Sequence, residues 1–140
     1  MDPDRRTLHG LGLAATAPRL LVLRSLRQQD RARSAGEIYA DVQNAGGKLG
    51  LTTVYRTLIT LSEAKLVHTF ERGGETVYRL CGEGNHRHLV CRRCGLVIEA
   101  GDLDRALHRL PAAVGFHVEE IYGVCTSCWT DETEPSTAMR

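Results

Sequence analysis

Two cysteine pairs, Cys91/Cys94 and Cys125/Cys128, constrain this chain more than any other feature. Two residues between cysteines let both thiolates reach one metal ion from a tight turn, and two such knuckles complete a tetrahedral four-sulfur site. Gly95 follows the first knuckle, where the backbone has to turn sharply. The 30 residues between the knuckles exceed the usual ribbon spacing, but they can hold a strand, a helix and a returning strand. A redox C-x-x-C and four unrelated core cysteines are the other readings of these residues; structural zinc is the one adopted. A closed four-sulfur site leaves no coordination position for a substrate, so its role is folding. In small modules of this kind metal binding contributes on the order of 10–16 kcal/mol.

Such a staple fits a chain of 140 residues, which holds one medium domain or two small ones. With 42% hydrophobic and 25% charged residues it reads as a globular protein and not a disordered one. No stretch suits a signal-peptide core or a membrane span; the longest candidate, Leu11 to Leu23, is broken by Thr16, Pro18 and Arg19. The expected compartment is the cytoplasm, where five cysteines are read as thiolate ligands and not as disulfides. Residues 1–80 carry 12 Lys/Arg against 8 Asp/Glu, and residues 81–140 carry 6 against 9. A basic front half points towards nucleic acid as its partner.

The front half reads as three helices and a hairpin. Thr16-Ala17-Pro18 opens a helix with Leu20, Leu21, Leu23 and Leu26 on its apolar face, fading near Gln28–Asp30. Ser34 and Glu37 form a capping box ahead of Ile38, Tyr39 and Val42, and Asn44–Gly47 ends that helix. Thr52 or Thr53 is expected to cap a third, whose Val54, Leu58 and Leu61 make one buried stripe. Strands at Leu66–Glu71 and Thr76–Leu80 flank Gly73-Gly74. That order is a winged helix-turn-helix. Further on, His88–Val90, Leu96–Glu99 and Phe116–Tyr122 read as strands and Asp102–Val114 as a helix. The expected fold class is α+β: an N-terminal winged helix-turn-helix DNA-binding domain (1–80), a hinge (81–85), a C-terminal α/β dimerisation and metal-binding domain (86–130) with a four-cysteine zinc site, and a disordered tail (131–140).

Two further clusters carry chemistry. His86 and His88 are two apart in an extended segment, so both side chains face one way. Cys81 precedes them across a glycine turn, and His68 lies on the preceding hairpin. The four make a donor set of three imidazole nitrogens and one sulfur, which favours zinc over harder cations. On the third helix, Thr53, Tyr55 and Arg56 are the exposed types that suit a major groove: arginine bonds guanine or phosphate, tyrosine a thymine methyl or phosphate.

Taken in order, Gly12–Leu23, the capped Ser34–Tyr39, the run Leu51–Leu58 and the motif from His86 to Gly95 (HRHLVCRRCG) resemble the ferric uptake regulator (Fur) superfamily over about residues 8–128. The chain is most similar to its zinc uptake regulator (Zur) branch, because Cys81 stands where iron-sensing members usually carry a carboxylate. The resemblance implies a metal-dependent, zinc-responsive transcriptional repressor of metal uptake genes, acting as a homodimer on double-stranded, palindromic operator DNA. It implies two zinc ions per subunit, one structural on Cys91, Cys94, Cys125 and Cys128, the other regulatory on His68, Cys81, His86 and His88 between the domains. Tyr55 and Arg56 would contact DNA, with Arg19 on a phosphate. Relatives of the zinc branch usually place an aspartate at the position of His68. A further metal site of the superfamily would have Asn85, Arg87 and Ala106 at its ligand positions, with His117 alone retained, so it is expected to be absent. A basic residue common before the first helix is replaced by Ala14, for which Arg5 or Arg6 could compensate.

An enzyme is not expected, nor a small-molecule substrate, nor a membrane partner. A zinc hydrolase or deaminase would need an open metal position and a carboxylate base, for which Glu83 or Glu99 could be proposed, but no H-x-E or H-E-x-x-H motif accompanies them. A protein-binding adaptor would leave the Thr53–Arg56 face without a role. The nearest alternative is an iron- or peroxide-responsive member of the same superfamily.

Overall fold

The computed structural model describes residues 2–29, 31–80, 88–100, 105, 109 and 120–130. The chain divides into two compact units, Met1–Glu83 and Gly84–Arg140.

The first unit is a winged helix-turn-helix: α1 Pro3–Gly10, α2 Ala17–Arg27, β1 Arg33–Ser34, α3 Ala35–Asn44, α4 Leu51–Glu63, β2 Val67–Arg72 and β3 Glu75–Leu80. Helix α2 starts as expected, with Thr16 at its N-cap and Pro18 in its first turn, and Arg24 and Arg27 complement the dipole in its last turn. Its inward face uses Val22, fully buried, where Leu21 was expected; Leu21 packs half-buried at the edge of the core. The capping box forms completely: Ser34 Oγ accepts from Glu37 N at 3.1 Å, and Glu37 Oε1 accepts from Ser34 N at 2.9 Å.

Helix α4 departs from its expected start. Gly50 is the N-cap and no side chain caps it, so Thr52 and Thr53 both lie inside the helix. The buried stripe of Val54, Leu58 and Leu61 is as expected, joined by Thr57. These residues meet Leu20, Leu23, Leu26, Ile38 and Val42 in one core, which Val67 and Tyr78 close from the hairpin. Helix α1 was not foreseen. Asp2 caps it and Pro3 occupies its first turn, both standard start signals. Leu8 is fully buried in the core, and the nearly buried Asp4 carboxylate accepts from Arg27 Nε, tying α1 to the end of α2. Arg5 and Arg6 therefore sit exposed on a helix and not on a free arm.

The wing is an antiparallel β2–β3 hairpin, and β1 pairs the outer side of β3, giving the order β1-β3-β2. Gly73 and Gly74 turn it with φ of 58° and 83°, a region L side chains avoid. Gly47, between α3 and α4, is needed for space: a Cβ there would stand 2.7 Å from Val42 Cγ1 and 3.1 Å from Val42 O.

In the second unit, β4 His88–Cys91 is central, antiparallel to β5 Val97–Glu99 and parallel to β6 Glu120–Gly123. Residues 126–130 add a short helix that begins within the second knuckle and carries Cys128. Val90 and Val97 are buried on one sheet face. Leu89, Ile98 and Ile121 stand side by side on the other. The expected hinge at 81–85, the tail, most of the helix expected at Asp102–Val114 and the positions Asn85, Arg87, Ala106 and His117 lie outside the described residues.

Candidate metal centre and nucleic-acid interface

The four knuckle cysteines converge. Their Sγ atoms all lie within 4.8 Å of one another, and Cys94 Sγ and Cys125 Sγ are 3.7 Å apart. Sulfurs placed 2.3 Å from one tetrahedral ion stand about 3.8 Å apart, so the cluster has the dimensions of a zinc-sized cage. Local backbone bonding creates it. Cys91 N donates to Leu96 O at 2.8 Å and Gly95 N to Cys91 O at 3.0 Å, closing the first knuckle, with Gly95 at φ 79°. Arg92 N donates to Gly123 O at 2.9 Å, which fastens that knuckle to the strand leading into the second. Because β4 and β6 run parallel and in register, Cys91 opposite Gly123, both knuckles leave the same end of the sheet.

The sulfurs differ in proton affinity. Burial pushes the Cys91 thiol up, but backbone N–H groups of Cys125, Cys94 and Arg93 outweigh it and bring it down to about 6. Cys128 is pushed up to about 12, first by its hydrogen bond to Cys125, then by burial and by the other sulfurs of the cluster. A second negative charge among four close sulfurs is unfavourable without a cation to share it. The donor set, its spacing and its charge all fit a divalent zinc ion.

The second expected metal cluster is divided between the two units. His68 is half-buried on β2, opposite Arg79. His88 is only 1% exposed at the start of β4, opposite Glu99 and Glu120. Cys81 and His86 lie outside the described residues.

On α4 the outward face holds Thr52, Tyr55, Arg56 and Ile59, all exposed. Thr53, the threonine singled out from sequence, is half-buried on the flank. Helical spacing distinguishes the two, since Thr52 lies three and four residues before Tyr55 and Arg56. There is no acidic residue in the first turn, and Lys48 is exposed just ahead of it. Gln43 Nε2 donates to Leu49 O at 2.8 Å, fixing the turn that presents the helix. Arg19 has a local role: its guanidinium donates to Ala14 O at 2.8 Å and closes the turn before α2. Sequence reasoning missed Arg72, whose guanidinium joins the wing to α3 through Glu37; a basic residue beside a hairpin glycine pair was the available signal.

The ferric uptake regulator family matches residues 10–121 of this sequence, which span the helix-turn-helix, the wing, the first knuckle and the start of β6. The chain belongs to the ferric uptake regulator family. Within it, the zinc uptake regulation protein of Mycobacterium tuberculosis is 40% identical, covering 84% of this chain and 95% of its own. The crystal structure of the ferric uptake regulator of Vibrio cholerae is 35% identical, with a TM-score of 0.64 over 86% of this chain and 98% of that one. A zinc uptake regulator solved in complex with zinc and DNA is 28% identical, with a TM-score of 0.60 over 95% of this chain and 99% of that one. As a member of the ferric uptake regulator family the chain is a metal-dependent transcription regulator and not an enzyme.

Proposed function

We propose that this chain is a zinc-responsive transcriptional repressor that binds palindromic operator DNA as a homodimer and controls metal uptake genes. The observation that carries DNA binding is the outward face of α4, where Tyr55 and Arg56 stand exposed, with Lys48 exposed ahead of the helix and no acid in the first turn. Arginine and tyrosine at adjacent positions on a helix-turn-helix can reach base edges and phosphates of one groove. The relative solved with zinc and DNA supports the same partner.

Two zinc ions per subunit are proposed. Cys91, Cys94, Cys125 and Cys128 would hold the first, which supplies folding energy to the second unit. His68, Cys81, His86 and His88 would hold the second, with residues 1–80 as the DNA-binding domain, 81–85 as hinge and 86–130 as dimerisation domain. Thiolate at Cys81 favours zinc over iron, and the mycobacterial zinc relative supports that choice. Only a dimer with its two α4 helices about 34 Å apart meets successive major grooves. If that spacing is fractionally populated without metal, apparent DNA affinity falls by the same fraction. Thr53, Arg19 and the wing would add backbone contacts. The cytoplasm is the proposed compartment, since it keeps five cysteines reduced; no described helix is long and apolar enough to cross a membrane.

Gel-shift titration on an AT-rich palindrome, with zinc, iron and manganese buffered separately, tests the reading. A complex formed with zinc alone is expected. Binding that needs iron or manganese instead would move the chain to a sister branch, and no binding with any metal would overturn it.

A further inference from the structure

On α4, Ile59 is 55% exposed, the most exposed large aliphatic side chain of the described first unit. A lone exposed isoleucine would need no explanation. This one follows Tyr55 by one turn, and Tyr55 is itself 47% exposed and follows Leu51, 42% exposed, by another. The core accounts for none of the three, because the buried stripe runs along the opposite side through Val54, Leu58 and Leu61. Isoleucine is also a weaker helix former than the straight-chain residues an ordinary solvated face carries.

Thr52, Tyr55, Arg56 and Ile59 stand at i, i+3, i+4 and i+7. That is the spacing by which a homeodomain recognition helix lines a major groove with four side chains. Within this set Ile59 is the only member without a polar atom, four residues from Tyr55 and three from Arg56. Thymine is the one base whose major-groove edge offers an apolar group, its 5-methyl. At the N-terminal end of α4 the charge suits a polyanion: Arg56 and Lys48 are exposed and the first turn carries no acid, the exposed Glu63 lying one turn beyond Ile59 at the other end of the helix.

We infer that Ile59 is a specificity-determining residue that packs, beside Tyr55, on a thymine 5-methyl group of the operator, one helical turn beyond the contacts of Tyr55 and Arg56. This rests on the DNA-binding reading above and adds a base-reading position to it. The neighbouring arginine would fix the register on the duplex, and the isoleucine would exclude water from the methyl group. Cytosine, which lacks the methyl and presents an amino donor there, would leave that donor facing an aliphatic side chain and be disfavoured.

The test uses the full-length zinc-loaded protein and a duplex it selects from a random-sequence pool. Each thymine of that duplex is replaced singly by uracil, which removes only the 5-methyl, and affinities are measured for the wild-type chain and for Ile59→Ala. In each half-site one thymine is expected at which uracil weakens wild-type binding about three- to fivefold, the worth of one buried methyl. Ile59→Ala should bind the thymine duplex correspondingly more weakly and be indifferent to uracil at that position. Ile59→Val, which keeps a branched aliphatic tip, should restore part of the discrimination. Equal uracil sensitivity of the two proteins at every position would overturn the assignment while leaving DNA binding intact. Weakened self-association of Ile59→Ala, with unchanged affinity for DNA, would overturn it in favour of a second copy of the chain. Failure of the wild-type chain to select any duplex would overturn the DNA-binding reading, and this one with it.

Discussion

Arg72 Nη2 donates to Glu37 Oε1 at 2.6 Å, the same oxygen that accepts from Ser34 N in the capping box of α3. One carboxylate therefore caps the N-terminus of a helix and anchors the wing, since Arg72 closes β2 and also meets Glu75 across the turn at 3.0 Å. Burial pushes the Glu37 carboxyl up, but the Ser34 and Arg72 hydrogen bonds outweigh it and hold it below its ordinary value. A carboxyl lowered by folding stabilises the native state above its unfolded pKa, and that contribution is lost as pH falls through the folded value. Glu37→Gln should lower stability by about 1 kcal/mol at pH 7. Denaturation curves of mutant and wild type should converge well below pH 4.5, the ordinary value for this carboxyl; a gap that persisted there would remove charge from the explanation.

The knuckle cysteines give a second prediction. In the folded second unit the Cys91 thiol is brought down to about 6, whereas Cys128 is pushed up to about 12. The lowered Cys91 stabilises the folded unit above its unfolded value, ordinarily 9.0, and that contribution disappears as pH falls through 6. Zinc must displace the proton held by Cys128, so affinity should rise with pH across the neutral range. Absence of that rise would mean the cluster is already ionised.

Removing the metal should have a larger effect. Chelation, or Cys125→Ser, is expected to unfold the second unit, because the lost contribution is on the order of 10 kcal/mol. The first unit has its own core, so its helical circular dichroism should remain. Loss of both signals together would show that the first unit depends on the second.

Gly47→Ala tests the helix-turn-helix corner. Its Cβ would meet the backbone oxygen of Val42 at 3.1 Å as well as the buried Val42 side chain, so the turn has to open. A loss of about 1–3 kcal/mol is expected by thermal unfolding. Wild-type stability in this variant would mean the corner yields freely.

Arg56→Ala should weaken specific DNA binding by about 1–3 kcal/mol. His68→Ala should instead remove the zinc response while leaving the fold and basal DNA affinity in place. Binding of the wild-type protein should fall with salt by roughly 0.9 log units per log unit of salt for each phosphate neutralised. A salt-insensitive complex would argue against the basic first unit as the docking surface.

Local rules were enough for much of this. The Ser34–Glu37 box, the Gly73-Gly74 hairpin, the Val54/Leu58/Leu61 stripe and the two cysteine knuckles are written in neighbouring residues. Each depends on hydrogen bonds or periodicity within a few positions. Helix α1 is equally legible in Asp2-Pro3, a cap followed by a first-turn proline, although a reading of those residues for targeting alone passes over it. The start of α4 differs from expectation because threonine is a good cap by preference, whereas the turn from Gln43 to Leu49 places Gly50 at the cap instead.

The sequence by itself determined which donors exist, four cysteines at metal-ligand spacing, and that a basic helix-turn-helix precedes them. Tertiary structure decided what those residues became. Parallel pairing of β4 with β6 brings knuckles 30 residues apart to one end of a sheet and sets the 3.7 Å sulfur contact. Helix packing turned Thr53 to the flank and left Thr52 and Ile59 facing outward. Partnership between distant residues, such as Arg72 with Glu37, depends on how elements close on a common core, and spacing along the chain carries no term for that.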